Sequence, residues 1–330
     1  MAYFALLLLV VGAGLGLLAY REASNALEQN TRESLLEIAE QGASIVVTDY
    51  EANLTIIGMI ADRSEIRSMD WETQLPVLLE EIKRNGFLAM GVVQKDGYAK
   101  FTEGNDLIYL GDESYVKTAL GGTVNISDVV ISPMNNSPLL ILAAPIYQDN
   151  AVAGVLIACR DGTALSDVTN SIKFGQDGYA YLLNNNGNVV AHPDKNYVLE
   201  QRNFKEEAKE NKELESMAAI TERIISGEED FAAYKNLEGE EVYVAFTPVE
   251  GTPWCLAVTA LKKDILSELE DMVNDITLGT IIIIISGLLF AFFIGYQISQ
   301  PIILLSAVLD RLAKYDLTLD HNNKAVKYLS

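Results

Sequence analysis

Two histidines, His192 and His321, and two cysteines, Cys159 and Cys255, are the side chains best suited to hold a metal or act as nucleophiles. Their spacing fits no zinc motif, and two cysteines are too few for a disulfide framework. Both thiols sit in apolar, strand-like runs, GVLIACRD and PWCLAV, and are expected as buried free thiols. His192 precedes Pro193 with no second metal-type side chain at a useful spacing, and reads as a structural histidine. The one GxG, Gly12-Ala13-Gly14, lies in an apolar run where close helix packing is the expected use. No catalytic nucleophile, phosphate loop or pair of catalytic carboxylates stands out. The expectation is a chain without a cofactor and without enzymatic activity.

The elements that carry these residues begin with a stretch from Ile276 to Leu309 that contains no charge. Its first part, 276–298, is long enough to cross a bilayer as one helix. Acidic residues Glu268, Glu270, Asp271 and Asp275 precede it; Arg311, Lys314, Lys324 and Lys327 come after it. Basic flanks mark the cytoplasmic side, so the tail is expected inside and the long middle segment outside. Residues 2–19 are a shorter apolar run, expected as an uncleaved membrane anchor because no basic segment precedes it as in a signal peptide. The chain of 330 residues has a net charge of −22, which repels nucleic acid and anionic membrane surfaces and suits a solvated exposed domain.

Between the two apolar runs, residues 20–62 lack proline and carry apolar residues at helical spacing, the pattern of one long stalk helix. A second helix is expected around Trp71 to Arg84, stopped by Asn85-Gly86. Two hairpins come next, FLAMGVVQKDGYAKF turning at Asp96-Gly97 and YAYLLNNNGNVVAH turning at Asn186-Gly187. Each leads to a strand, a short turn and a long apolar strand, AAPIYQDNAVAGVLIACRD and AFTPVEGTPWCLAVTALKKD. The order occurs twice, which gives an α+β chain with two tandem antiparallel-sheet modules at 63–165 and 166–262. A helix at 205–227 falls inside the second, and a polar connecting helix at 263–275 leads to the second span. After Pro301, an amphipathic helix with Ile302, Leu305, Leu309 and Leu312 on one face has the 3–4–3 spacing of a heptad seam, which implies a homodimer.

This order resembles the double Cache (dCache) sensors: a long N-terminal helix, two PAS-like modules and a transmembrane helix. DESYVKTALGG, IKFGQDGYAYLLNNNGNVVAHP and WCLAV carry the resemblance over roughly 25–275. Residues 299–330, with Pro301 and the pair Asp316-Leu317, look like the start of a HAMP domain, and the run DHNNKAVKYLS is similar to the next stretch of bacterial methyl-accepting chemotaxis proteins. The resemblance implies a transmembrane chemoreceptor in the inner membrane that acts on a cytoplasmic adaptor and kinase. The alternative is the sensor half of a histidine kinase or diguanylate cyclase, and a third class is a binding module without output.

The resemblance also implies a small-molecule ligand in the membrane-distal module. In the amino-acid-binding subgroup, a Tyr precedes an Arg-x-Trp-Tyr element whose Arg holds the ligand carboxylate, and a later Asp takes the amino group. Asp161 matches that Asp, but the Arg-x-Trp-Tyr element falls on Glu113-Ser114-Tyr115-Val116, and Tyr109 lies one residue off the expected spacing. The candidate ligand-binding set is Tyr109, Tyr115, Asp128, Tyr147 and Asp161. Carboxylates among aromatics suit a cation or hydrogen-bond donor, so an amine or a nitrogen heterocycle is expected over a carboxylate.

Overall fold

The structure, a computed structural model, describes residues 2–104, 106–132, 137–175 and 177–313. It divides into two compact units, Glu28–Ile265 and Met1–Leu27 with Leu266–Ser330.

Helix α1 runs from Ala2 to Ala61 without a break, so the expected first span and stalk form one element. Within the larger unit it serves as the spine. Leu35, Ala39, Val46 and Tyr50 pack on one sheet and Ile57, Ile60 and Ala61 on the other. Full burial of a side chain such as Leu35 or Ile57 contributes about 1.5–3 kcal/mol. Gly42 lets the helix lie close: a Cβ there would meet Leu256 Cδ2 at 2.7 Å and Ile172 Cδ1 at 3.0 Å.

The short helix α2 (Ser64–Arg67) leads to α3 (Trp71–Asn85). Asp70 caps α3 by accepting a hydrogen bond from Thr73 N at 3.1 Å, and Gly86 ends it in the left-handed conformation at φ 70°. The first sheet comprises β1 (Ala89–Gln94), β2 (Tyr98–Phe101), β3 (Ile108–Tyr109), β4 (Asn125–Ile131), β5 (Pro138–Gln148) and β6 (Ala151–Asp161), with α4 (Ser114–Leu120) before β4. Its order is β3-β2-β1-β6-β5-β4, and neighbouring strands run antiparallel throughout. Strand alternation sends Met90, Val92, Leu142, Leu156 and Ala158 toward α1 and α3, and Val93, Ile141, Val155, Ile157 and Cys159 toward α4.

After α5 (Ala164–Thr169), the second sheet comprises β7 (Ala180–Asn184), β8 (Val189–Ala191), β9 (Asp230–Lys235), β10 (Glu241–Pro248) and β11 (Trp254–Leu261), in the order β8-β7-β11-β10-β9. The wiring repeats that of the first sheet: a hairpin at one side, then a returning long strand paired to the hairpin's first strand. Between β8 and β9 lie α6 (Asn196–Leu199), α7 (Phe204–Glu207), a single 3-10 turn at Lys212–Leu214 and α8 (Glu215–Ile224). The expected single helix at 205–227 is therefore broken. Asn203 and Asn211 each start a new turn by accepting from a backbone N–H, Glu206 and Glu213 respectively.

Helix α9 runs from Lys262 to Ala313. Within it Val273–Gln297 has a mean hydropathy of 2.5 and is long and apolar enough to cross a membrane. Among the described residues it is the one such segment. In the smaller unit α1 and α9 meet where a Cβ on Gly12 would lie 3.2 Å from Thr280 Cγ2. Pro301, expected to separate the span from the next helix, lies inside α9; its ring removes one backbone donor without ending the helix. Ile302, Leu305 and Leu309 are exposed along it. The connector residues Asp316 and Leu317, the basic Lys314, Lys324 and Lys327, and His321 lie outside the described residues, as does the side chain of Leu312.

Candidate functional site

A cavity of about 270 Å³ opens on the α4 side of the first sheet. Sheet order builds it. β2, β1, β6, β5 and β4 lie side by side, so the ends of strands distant in sequence come together under β3 and the start of α4. Phe101, Ile108, Leu139 and Ile141 give it an apolar lining, and Tyr109, Glu113, Tyr115, Glu103, Ser132 and Cys159 bring polar atoms to it.

Each polar group has a local reason for its position. Gly97 turns the β1–β2 hairpin at φ 86° and accepts from Leu110 N at 2.8 Å, which fixes the segment carrying Tyr109. The Tyr109 ring packs edge-on against Tyr98 at 5.3 Å and stays 52% exposed. Glu113 precedes α4 without capping it, and its N–H donates to Leu110 O, so its carboxylate is not committed to the helix. Tyr115 is buried on the first turn of α4, and its backbone carbonyl accepts from Asn125 Nδ2. Burial pushes its phenol well up, and the charge of Glu113 adds to the shift. Burial likewise pushes the Cys159 thiol up to about 12, with the charge of Glu103 adding to it. Glu103 and Glu113 thus both impose negative potential on the cavity, and among the described residues no Lys or Arg lines it.

Of the five residues expected at a ligand, the structure brings Tyr109 and Tyr115 together in this cavity. Asp161 ends β6 two residues beyond Cys159, on the same side of the strand. Its Oδ1 accepts from both Thr163 N and Thr163 Oγ1 at 2.7 Å, and these bonds hold its carboxyl below the ordinary range. The other two are elsewhere. Asp128 turns away toward the second sheet, where its Oδ1 accepts from Trp254 Nε1 at 2.7 Å and its Oδ2 from Asn184 Nδ2 at 3.4 Å. A register shift in β4 between Ile126 and Val129 reorients the strand at that point. Tyr147 lies eight residues along β5 from the cavity-lining Leu139, roughly 26 Å at strand rise. Its hydroxyl donates to Gly122 O at 3.2 Å. Glu103, Ser132 and Cys159 are not among the expected residues. The signal that could have found Cys159 is its spacing of two from Asp161.

Among the described residues no group of three or more His, Cys, Asp or Glu could hold a metal ion. His192 sits in an aromatic cluster, stacked on Tyr197 at 4.2 Å.

The Cache domain family model, in its double-module form, matches residues 23–269. The methyl-accepting chemotaxis protein PctB of Pseudomonas aeruginosa is 24% identical over 178 residues, which cover 53% of this chain and 28% of that receptor. PscA of Pseudomonas syringae pv. tomato is 30% identical over 82 residues, 25% of this chain and 13% of that receptor. The chain thus spans under a third of the length of these curated relatives. The ligand-binding domain of the Pseudomonas fluorescens chemoreceptor CtaA, solved with L-serine, is similar at a TM-score of 0.57 and 19% identity, over 72% of this chain and 99% of that one. That of PctB with L-Arg gives 0.57 and 22%, over 71% and 97%. The sensory domain of Campylobacter jejuni Tlp3 with isoleucine gives 0.53 and 14%, over 73% and 96%. These likenesses carry the fold. They also correct the expectation of an amine or nitrogen heterocycle over a carboxylate, because every one of those bound amino acids has a carboxylate. The physical reason is that hydroxyls and backbone N–H groups can also hold a carboxylate, so Glu113 in the place of an arginine does not exclude one.

Proposed function

Because the chain belongs to the Cache domain family, we propose that it is the sensory portion of a transmembrane chemoreceptor and that its distal cavity takes an α-amino acid. The observation that carries this reading is the cavity itself, with Glu103 and Glu113 beside Tyr109 and Tyr115. Two carboxylates offset the ligand ammonium and leave negative potential over, which favours a basic amino acid. The ligand carboxylate is held by tyrosine hydroxyls and backbone N–H groups. Asp161 supports the ammonium side from the end of β6.

In this reading residues 2–19 and Val273–Gln297 both cross the inner membrane, the two sheets face outward, and α9 passes the signal to a cytoplasmic output. The methyl-accepting relatives favour a chemotaxis adaptor and kinase as that output over a catalytic domain fused in the same chain. The chain itself performs no catalysis.

The test is calorimetry on the full chain in lipid nanodiscs. L-arginine and L-ornithine should bind, L-glutamate should bind far more weakly, and Nα-acetyl-L-arginine should lose at least tenfold. Glu113→Gln should weaken L-arginine about tenfold or more, the scale of a hydrogen bond to a charged group. Equal affinity for the acetylated ligand, or tight binding of a dicarboxylate, would refute the assignment.

A further inference from the structure

A second cavity, about 310 Å³, lies in the other sheet module, on the face of β7, β9 and β10 opposite α1. Both cavities carry carboxylates, and this one is also rich in aromatic rings. Tyr179, Tyr181, Tyr234, His192, Tyr197 and Phe204 all line it, and the rest of its lining is divided between apolar and polar side chains. The volume is ample for a substituted ring, since roughly 150 Å³ of apolar space already admits benzene. The rings of Tyr179 and Tyr181 lie 6.2 Å apart and share the cavity wall with Tyr234, so three phenols line one space.

Charge decides what fits. Among the described residues no Lys or Arg lines the cavity, while Asp177, Asp194, Glu238 and Glu240 do, so an anion is repelled. The ring faces that would hold a cation are in part already covered. The Arg202 guanidinium already covers the rings of Tyr197 and Phe204 at 4.7 Å, and His192 stacks on Tyr197. Glu240 is tied to Lys263 Nζ at 2.6 Å, and Asp194 accepts from Asn196 N at 3.0 Å. Burial keeps His192 neutral.

We propose that this proximal cavity is a second binding site, for uncharged monocyclic aromatic molecules that carry one hydroxyl, held by ring contacts to Tyr179, Tyr181 and Tyr234 and by a hydrogen bond to the Tyr234 hydroxyl. The site is separate from the amino-acid cavity, so a chain carrying it reads two chemical classes.

The test is fluorine NMR of 4-fluorophenol with the full chain in nanodiscs, with empty nanodiscs subtracted for partitioning. Saturable binding is expected, stronger than for 4-fluorotoluene and for 4-fluorobenzoate. Tyr234→Phe keeps the ring and removes the hydroxyl, so it should weaken 4-fluorophenol about fivefold and leave 4-fluorotoluene unchanged. Tyr115→Phe, in the distal cavity, should leave both unchanged. Non-saturable signal, stronger binding of the benzoate, or a phenol preference that survives Tyr234→Phe but falls with Tyr115→Phe would each overturn the proposal. Should Tyr234→Phe disturb folding, Met217→Trp, which fills the cavity from α8, must abolish 4-fluorophenol binding while L-arginine binding persists; retention of 4-fluorophenol binding again overturns it.

Discussion

A double-mutant cycle of Trp254→Phe with Asp128→Ala isolates the bond that ties the two sheet modules together. Trp254 is 1% exposed, and its Nε1 donates to Asp128 Oδ1 at 2.7 Å across the boundary between β11 and β4. Three consecutive residues a step further on, Val130, Ile131 and Ser132, line the distal cavity, so this strand touches both the ligand space and the second module. A hydrogen bond to an ionised carboxylate contributes about 1.5–3 kcal/mol. Trp254→Phe also shrinks a buried ring, and Asp128→Ala leaves the buried indole N–H without its acceptor, so neither single variant measures the bond. The double-mutant cycle removes both side effects. We expect a coupling energy of about 1.5–3 kcal/mol, equal to roughly 10- to 150-fold in opening equilibrium. Native-state hydrogen exchange on the full chain, monitored in peptides from β4 and β11, reads that opening directly. If the two single effects add within about 0.5 kcal/mol, the bond does not couple the modules and the reasoning fails.

Acid should loosen the second module through His192. Burial holds its imidazole neutral down to about 4, whereas a free imidazole titrates near 6.5. Between those values the unfolded chain binds the extra proton, so stability is full above about pH 6.5 and falls as pH drops toward 4, by up to about 3 kcal/mol. Exchange protection in β8, compared between the parent chain and His192→Gln, should show this fall only in the parent; parallel pH curves would contradict it. Gly97→Ala should weaken L-arginine binding severalfold, because its Cβ would meet Gly111 Cα and Tyr109 Cε2 at 2.8 Å in addition to the cost of φ 86°. Gly86→Ala, at φ 70° in open space, carries the conformational cost of about 1 kcal/mol alone; calorimetry that finds the two variants equally affected would remove the argument that Gly97 positions Tyr109.

Local chemistry is legible where one or two residues decide the backbone. Asp96-Gly97 and Asn186-Gly187 announce their turns because the glycines take φ values of 86° and 89°, which few other residues tolerate. The cap at Asn211 is hidden, since the helix expected over 205–227 runs through it. Tyr109 and Tyr115 are legible through their place in a known family element. Glu103, Ser132 and Cys159 are not, because three different strands supply them and only the sheet order makes them neighbours. Asp128 is misplaced for the same reason: its partner is 126 residues away. The ligand class is misjudged when one absent arginine is weighed as though no other donor could do its work.

The two thiols have a practical consequence. Cys159 and Cys255 are 3% and 7% exposed and sit in different sheets, and burial raises both above the ordinary thiol range. With Cys159 pushed up to about 12, its reactive thiolate fraction at pH 7 is on the order of one in 10⁵. Oxidising surroundings therefore find little to attack, and alkylating or spin-labelling reagents will pass both residues by. A single cysteine placed on the surface of the native chain will be the one site that takes the label, so distances between modules can be tracked during ligand binding without first stripping the molecule of its own sulfur.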